Sequence, residues 1–407
     1  MFDRISRCAL FFFFLFITGR AFAQQPAFKN FGVKDGLPSS EVYSAMQDSK
    51  GYMWFCTDNG ISRYDGYAFK NFSLENGLPD NTVFGSYEDR RGRIWFRTLS
   101  GRLFYFNNDT IYQLPSNNQA ATLMHNAILT SIYVDEGDTV WCGLTSSKGY
   151  FKIAPPYLNQ DFTYHFLDHN SAYIFNIDKE GFVWGTVVDY PSGPPAVIGK
   201  SIIMRYSKNG RTDSLTAPRK IMTNSTIHAM PDGKYFVTSE NEISVTGPGA
   251  FVSRKTNVNP LSSFIDSHNR IWAGLHKKGV FCYPAGDLNK NESAHYLDGL
   301  SVSSTTCDKE GAYWFTTLEN GVYYMSSGDL LYYDTRDGFL ANKVLTVFPR
   351  DSSSVWAGTA DGSIEIVERN KLIHFKEPAG PAAENAIYRL QEGPGKTLLV
   401  GAVTSYI

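Results

Sequence analysis

Histidines, cysteines and carboxylates are the residues of this sequence that could do chemistry, and their spacing argues against most kinds of catalysis. His165 and His169 stand four apart in His-Phe-Leu-Asp-His. That interval brings two imidazoles to one metal ion only on a helix, and on a strand or loop they need not converge. The segment reads as strand and loop, so exposed loop histidines are expected. The chain has no H-E-x-x-H, G-x-S-x-G, Walker or dinucleotide glycine motif. Cys56, Cys142, Cys282 and Cys307 show no C-x-x-C spacing, which gives a thiolate-clustered zinc site no support. Cys56 and Cys142 closely follow a tryptophan and read as small apolar core residues, so free, buried thiols are expected. No catalytic, cofactor-binding or metal-binding residue is assigned.

The carboxylates follow a different logic. Asp48-Ser-Lys-Gly51-Tyr-Met-Trp54, Asp89 to Trp95, Asp178 to Trp184 and Asp308 to Trp314 share D-x-x-G-x-x-W, and looser copies run from Asp135 to Trp141, Asp266 to Trp272 and Asp351 to Trp356. All seven tryptophans occupy this one position, at intervals of 41 to 46 residues with one double interval of 88. In that gap lies Pro231-Asp232-Gly233-Lys-Tyr-Phe236, with Phe in the Trp place, and a ninth start follows at Gly393-Pro-Gly395. Self-similarity at this period marks a repeat architecture. Asp would cap a tight turn relaxed by Gly, and Trp would fill the wedge between neighbouring repeats. Seven tryptophans obeying one repeat position are structural, because a binding residue should break a repeat.

The elements that position these residues are short strands. In the first repeat Glu41–Gln47, Tyr52–Thr57, Ile61–Tyr64 and Tyr67–Phe72 are separated by Asp/Asn/Gly turns. Four antiparallel strands in about 42 residues make one propeller blade, so the expected fold is an all-β propeller. No segment sustains a helical period. The 407 residues are 43% hydrophobic, 15% aromatic and only 19% charged, with 38 basic against 40 acidic residues, so neither disorder nor a nucleic-acid face is implied. Met1–Ala23 joins two early arginines, an apolar run from Cys8 to Gly19 and Ala21-Phe-Ala23 before Gln24. This reads as a cleavable export signal, too short to span a bilayer, and places the mature chain outside the cytoplasm.

Common propeller signatures are absent: there is no Trp-Asp dipeptide, Gly-Gly doublet or Tyr-Trp-Thr-Asp, and the Asp-box offsets differ. Lys34-Asp-Gly-Leu-Pro38, Met53-Trp-Phe-Cys-Thr-Asp-Asn-Gly60, Tyr64-Asp-Gly66 and Asn76-Gly-Leu-Pro-Asp80 run in an order that resembles the two-component regulator propeller family. The resemblance covers about residues 28 to 407 and is most specific in Phe28 to Tyr105. It implies the extracytoplasmic sensor region of a bacterial sensor histidine kinase. Such a region would take a small-molecule or glycan ligand and act on downstream modules of the same receptor, with a second copy of the chain as a candidate partner. It also implies two consecutive seven-bladed rings. On that analogy residues 24–335 form the first ring after a signal peptide at 1–23, and 336–407 open a second, incomplete one. One eight- or nine-bladed ring is the alternative. Because the sequence stops one strand pair into a blade, a longer receptor is expected. Propeller lyases supply the enzymatic alternative, and a plain interaction scaffold is the third reading.

Phe28-Lys-Asn-Phe31 repeats the outer strand Phe69-Lys-Asn-Phe72, so the chain should begin with a lone fourth strand able to lock a ring. The insertion Asp189 to Gly199 breaks the repeat. Strand parity places it with the Asp58-Asn59-Gly60 turn and the Gly77-Leu-Pro79 loop on one side of the disc, where ligand binding is expected with Asp189 and Tyr190 as contributors.

Overall fold

The computed structural model describes residues 28–402 except 124–127, 145–149, 166–171, 178–182, 189–200, 208–209, 218–225, 240, 248–249, 285–286, 290–293, 327–334, 336–337, 352, 369–370 and 377–385. The expected leader lies outside them. The chain divides into two compact units, one spanning Phe28–Ser327 and the other including Gly328–Ile407.

The first unit holds seven four-stranded antiparallel sheets, the blades of a propeller. Blade 1 runs Val42–Gln47, Met53–Thr57, Gly60–Tyr64, Phe69–Phe72 from its innermost to its outermost strand. Neighbouring blades pack in order from blade 5 through 6, 7, 1, 2 and 3 to blade 4, innermost strand on innermost strand except at blades 5–6 and 2–3, where the second strand of the earlier blade meets the innermost strand of the next. Blade 7 is composite. Val302–Cys307, Tyr313–Thr317 and Val322–Met325 come from one end of the unit, and the outermost strand, Phe28–Phe31, comes from the other. Its register pairs Phe28 with Met325 and Phe31 with Val322. The Asn30 side-chain amide donates to the Asn320 carbonyl across the join at 2.8 Å. Gly321, at φ +71°, lies where a Cβ would meet the Phe31 carbonyl at 2.2 Å, and Gly60 repeats the geometry against Phe72 at 2.1 Å. Both turns therefore require glycine.

One interaction recurs from blade to blade. The carboxylate of Asp48, Asp89, Asp135, Asp266 or Asp308 accepts the indole N–H of the tryptophan six residues on, at 2.7 to 2.9 Å. Its other oxygen accepts backbone N–H groups of its own turn, as Asp48 does from Lys50 and Tyr52. The repeat thus joins turn and wedge through one side chain, a bond that the sequence pattern contained and the turn-capping reading missed. The indole faces the following blade: Trp54 packs with Phe96, Phe104 and Phe106, and Trp95 with Leu129 and Val140. Trp54, Trp95, Trp141, Trp272 and Trp314 are buried, while the side chain of Trp184 lies outside the described set. Trp356 departs from the expected burial and is only partly covered. It follows Asp351 by five residues instead of six, and its indole N–H has no hydrogen-bond partner among the described residues.

Among the described residues a single α-helix, Asn117–Leu123, interrupts the β pattern. It is anchored by Asn117, whose side chain exchanges two hydrogen bonds with the backbone of Leu103.

In the second unit Val344–Asp351, Ser354–Thr359, Ser363–Glu368 and Lys371–Lys376 form an eighth blade, and Ile387–Glu392 with Leu398–Ala402 start another. Trp356 packs towards Ile387 and Leu390, as Trp54 and Trp95 pack towards the blades after them.

Candidate functional site

A cleft of about 360 Å³ opens at the join of blades 7 and 1, near the lower size limit of small-ligand pockets. The closing strand supplies Lys29 and Phe31, blade 7 supplies Trp314, Tyr324, Asp308 and Glu310, and blade 1 supplies Gln47, Met53, Tyr64 and Asp65. Its floor is aromatic. Phe31 stacks on Trp314 at 5.8 Å and 16°, and Tyr64 and Tyr324 lie 6.0 and 4.7 Å from the indole. Lys29 holds its ammonium 4.6 Å from the Phe31 ring centre.

Most of the polar groups here serve the join itself. Asp308 takes the Trp314 indole N–H, Gln47 donates to Glu310 and accepts from the Lys309 amide, and the Lys309 ammonium donates to the Asp48 carbonyl. Asp65 accepts from the Ala68 and Tyr67 amides, which hold its carboxyl below the usual range. Phe31, Tyr64 and Trp314 are buried and spent on packing the join, so what the cleft presents outward is an ammonium and carboxylates at its rim. The cleft lies on the side of the Asp48–Gly51 and Asp65–Gly66 turns, opposite the side expected to take ligand.

That expected side bears the Asp58-Asn59-Gly60 turn, while Asp189 and Tyr190 lie outside the described residues. Here the innermost strands of blades 1, 2, 3, 6 and 7 carry a β-bulge at their second residue, which the repeat pattern did not reveal. A bulge re-aims a side chain out of the regular alternation. The bulge residues Tyr43 and Phe84 of successive blades meet at 4.9 Å in an edge-to-face pair. The Tyr43 hydroxyl donates to Glu41 at 2.8 Å, and burial followed by that carboxylate raises its pKa well above the tyrosine range.

His169 lies outside the described residues, as does the side chain of His165, so no convergence of that pair is described. His228 bonds to the Ser263 hydroxyl at 2.8 Å, and burial pushes its pKa down to about 4, which keeps it neutral. Cys56, Cys142 and Cys282 are buried and Cys307 is part-exposed, and none of the four is in a disulfide. Burial raises the thiol pKa of Cys56 to about 11 and that of Cys142 well above the ordinary value, so neither is a nucleophile at neutral pH. Among the described residues no group of three or more His, Cys, Asp or Glu could hold a metal ion.

Residues 36–59 and 77–100, the first two Asp/Trp repeats with their Gly-Leu-Pro leads, match the two component regulator propeller family. These segments are two-component regulator propeller repeats. The curated proteins contain no match to the chain. Among solved structures, the extracellular domain of the hybrid two component system BT3049 from B. thetaiotaomicron is similar at TM-score 0.64 and 17% identity, over 93% of this chain and 52% of that one. A second such domain, from BT4673 of the same organism, matches at TM-score 0.52 and 16% identity, over 93% of this chain and 51% of that one. The chain therefore spans about half the length of these domains. A streptogramin B lyase matches at TM-score 0.55 and 16% identity, over 73% of this chain and 96% of that one. At these identities the likeness establishes the propeller fold. No helix among the described residues is long and apolar enough to cross a membrane.

Proposed function

We propose that the chain is the extracytoplasmic, ligand-sensing propeller region of a two-component sensor histidine kinase. It binds a small molecule or glycan and passes the signal to C-terminal modules of the same receptor. The observation that carries this reading is the pair of regulator propeller repeats in a chain whose fold follows the extracellular domains of hybrid two component systems along 93% of its length. The chain contributes binding and not catalysis, since the paired buried groups described above are spent on turns, wedges and joins. The lyase likeness is a likeness of the ring, and His228, buried and neutral beside a serine, has no carboxylate bonded to it among the described residues. The test is a reporter strain carrying the complete receptor. Output that answers an added glycan or small molecule, and is lost when residues 28–327 are deleted, supports the sensor; turnover of that compound by the purified chain overturns it.

Residues 1–23 are the export signal in this reading, and the mature chain begins at Gln24. Mass measurement of the exported protein checks this, and an intact Met1 on a cytoplasmic chain contradicts it.

The second unit opens a second ring. On blade 8, Val344 and Val355 are 39% and 40% exposed, although their counterparts Val42 and Met53 in blade 1 are 0% and 3% exposed. Those blade 1 residues pack on Trp314 of the blade before. Blade 8 therefore presents the face that a preceding blade covers, as the first blade of a ring does before its last blade arrives.

A further inference from the structure

Arg97 breaks the repeat in the interior of the propeller. It lies on the second strand of blade 2, Ile94–Thr98, paired with Gly85 of the innermost strand. The corresponding second-strand residue is small in other blades: Cys56, Gly143, Gly274 and Thr316. The innermost partner is correspondingly serine in those four blades and glycine only here among them. The exchange has a steric reason. A Cβ on Gly85 would stand 2.6 Å from Arg97 Nε and 3.0 Å from Nη2, so the guanidinium lies directly over the innermost strand, the one bordering the axis.

The guanidinium donates from Nη1 to the carbonyl of Leu129, the first innermost residue of blade 3, at 2.7 Å. Among the described residues no carboxylate bonds to it. Its titratable neighbour is the Cys56 thiol, which burial keeps protonated. Thr130, the bulge residue next to Leu129, has a buried hydroxyl without a hydrogen-bond partner among the described residues. A fixed cation with several forked donors unspent, bonded in a partly desolvated seam to the residue that precedes Thr130 and its unspent hydroxyl, is a receptor for a planar or tetrahedral oxyanion. Both strands end on the side that carries the Asp58-Asn59-Gly60 turn and its equivalents, where the Tyr43–Phe84 pair also stands.

We propose that Arg97 is the oxyanion-recognition group of a ligand site at the inner edge of the seam between blades 2 and 3, taking a carboxylate or sulfate group. The site rests on the sensor reading for its purpose and narrows the ligand class to acidic compounds, but it can be tested without signalling. The purified chain is titrated calorimetrically with a hexuronic acid, its neutral hexose and inorganic sulfate. The expected result is binding of the hexuronic acid or sulfate and none of the hexose, with the stronger of the two anions showing whether the oxyanion is borne by a sugar or free. Arg97→Lys, which keeps charge but loses the fork, and Gly85→Ala, which displaces the guanidinium and keeps the arginine, should each weaken binding by about tenfold or more. Thermal denaturation confirms that both variants fold. The wild type supplies an independent measurement: modification of Arg97 by phenylglyoxal, read by peptide mass, should slow in the bound oxyanion and be unchanged in the hexose. Absence of oxyanion binding, affinity unchanged in both folded variants, or Arg97 modified equally with and without oxyanion overturns the site. A receptor that still answers a neutral ligand after such a result keeps the sensor and loses only this recognition group.

Discussion

At the scale of single residues, the Asp–Trp bond is the repeated unit of stability. Trp95 is fully buried and lies against Leu129 and Val140 of the next blade. Trp95→Ala should leave a cavity there and cost about 3 to 5 kcal/mol, read as a lowered denaturation midpoint. Asp266 tests the other half of the bond. Burial favours its neutral form, but the Trp272 indole, the Tyr313 hydroxyl and Arg270 outweigh it and hold the carboxyl at about 2 instead of 3.8. A carboxylate with a depressed folded-state pKa contributes stability above its ordinary titration range, and that contribution disappears as pH falls through the depressed value. Stability should therefore fall between about pH 4 and pH 2, with a shallower slope in Asp266→Asn, as followed by denaturation across that window. A wild type and variant with parallel profiles would remove Asp266 from the account. Gly60→Ala should cost more than about 1 kcal/mol, since the position combines φ +96° with a carbonyl 2.1 Å from the added carbon.

At the scale of elements, the strands and their order were legible because turn chemistry and the Trp period repeat eight times with little interference. The identity of Phe28-Lys-Asn-Phe31 with Phe69-Lys-Asn-Phe72 was enough to mark an outermost strand without a blade, and that strand does complete blade 7. The β-bulges were not legible, since one extra residue in a strand of six leaves no change in composition. Nor was the indole bond, which joins residues six apart through a bent turn. Arg97 was visible as a charge in a strand, but its importance depends on Gly85 lying opposite, and cross-strand register is not written in a single strand. Asp189 and Tyr190 belong to a long insertion that breaks the repeat and lie outside the described residues. The closing strand makes its own prediction. Phe31→Asp places a charge against Trp314 and Tyr64 and should unseat the strand, exposing the edge of Val322–Met325. Limited proteolysis near residue 28 should then become fast, with a loss of thermal stability; an unchanged digestion pattern would show that the strand is dispensable.

At the scale of the whole molecule, the two units differ in how far their repeats are satisfied. In the first, each described tryptophan has a neighbouring blade to fill, whereas in the second Val347 is 58% exposed on blade 8. Val347→Asp should accordingly leave the stability of the present chain unchanged within about 0.5 kcal/mol. The same change in a chain extended by further blades should destabilise it by more, and equal effects in both would argue against a second ring. The closure of the first ring has a further consequence, in time. Asn30 and Asn320 are 290 residues apart and joined by one hydrogen bond. During synthesis, the strand Phe28–Phe31 must wait unpaired until Val322–Met325 has been made. Blades 1 to 6 can form in order from local hairpins, but the ring cannot be sealed before that moment, and long-range pairing of this kind is slow. The growing chain thus passes through an interval in which blade 7 lacks its outermost strand and the edge of Val322–Met325 stands open to pairing with another chain.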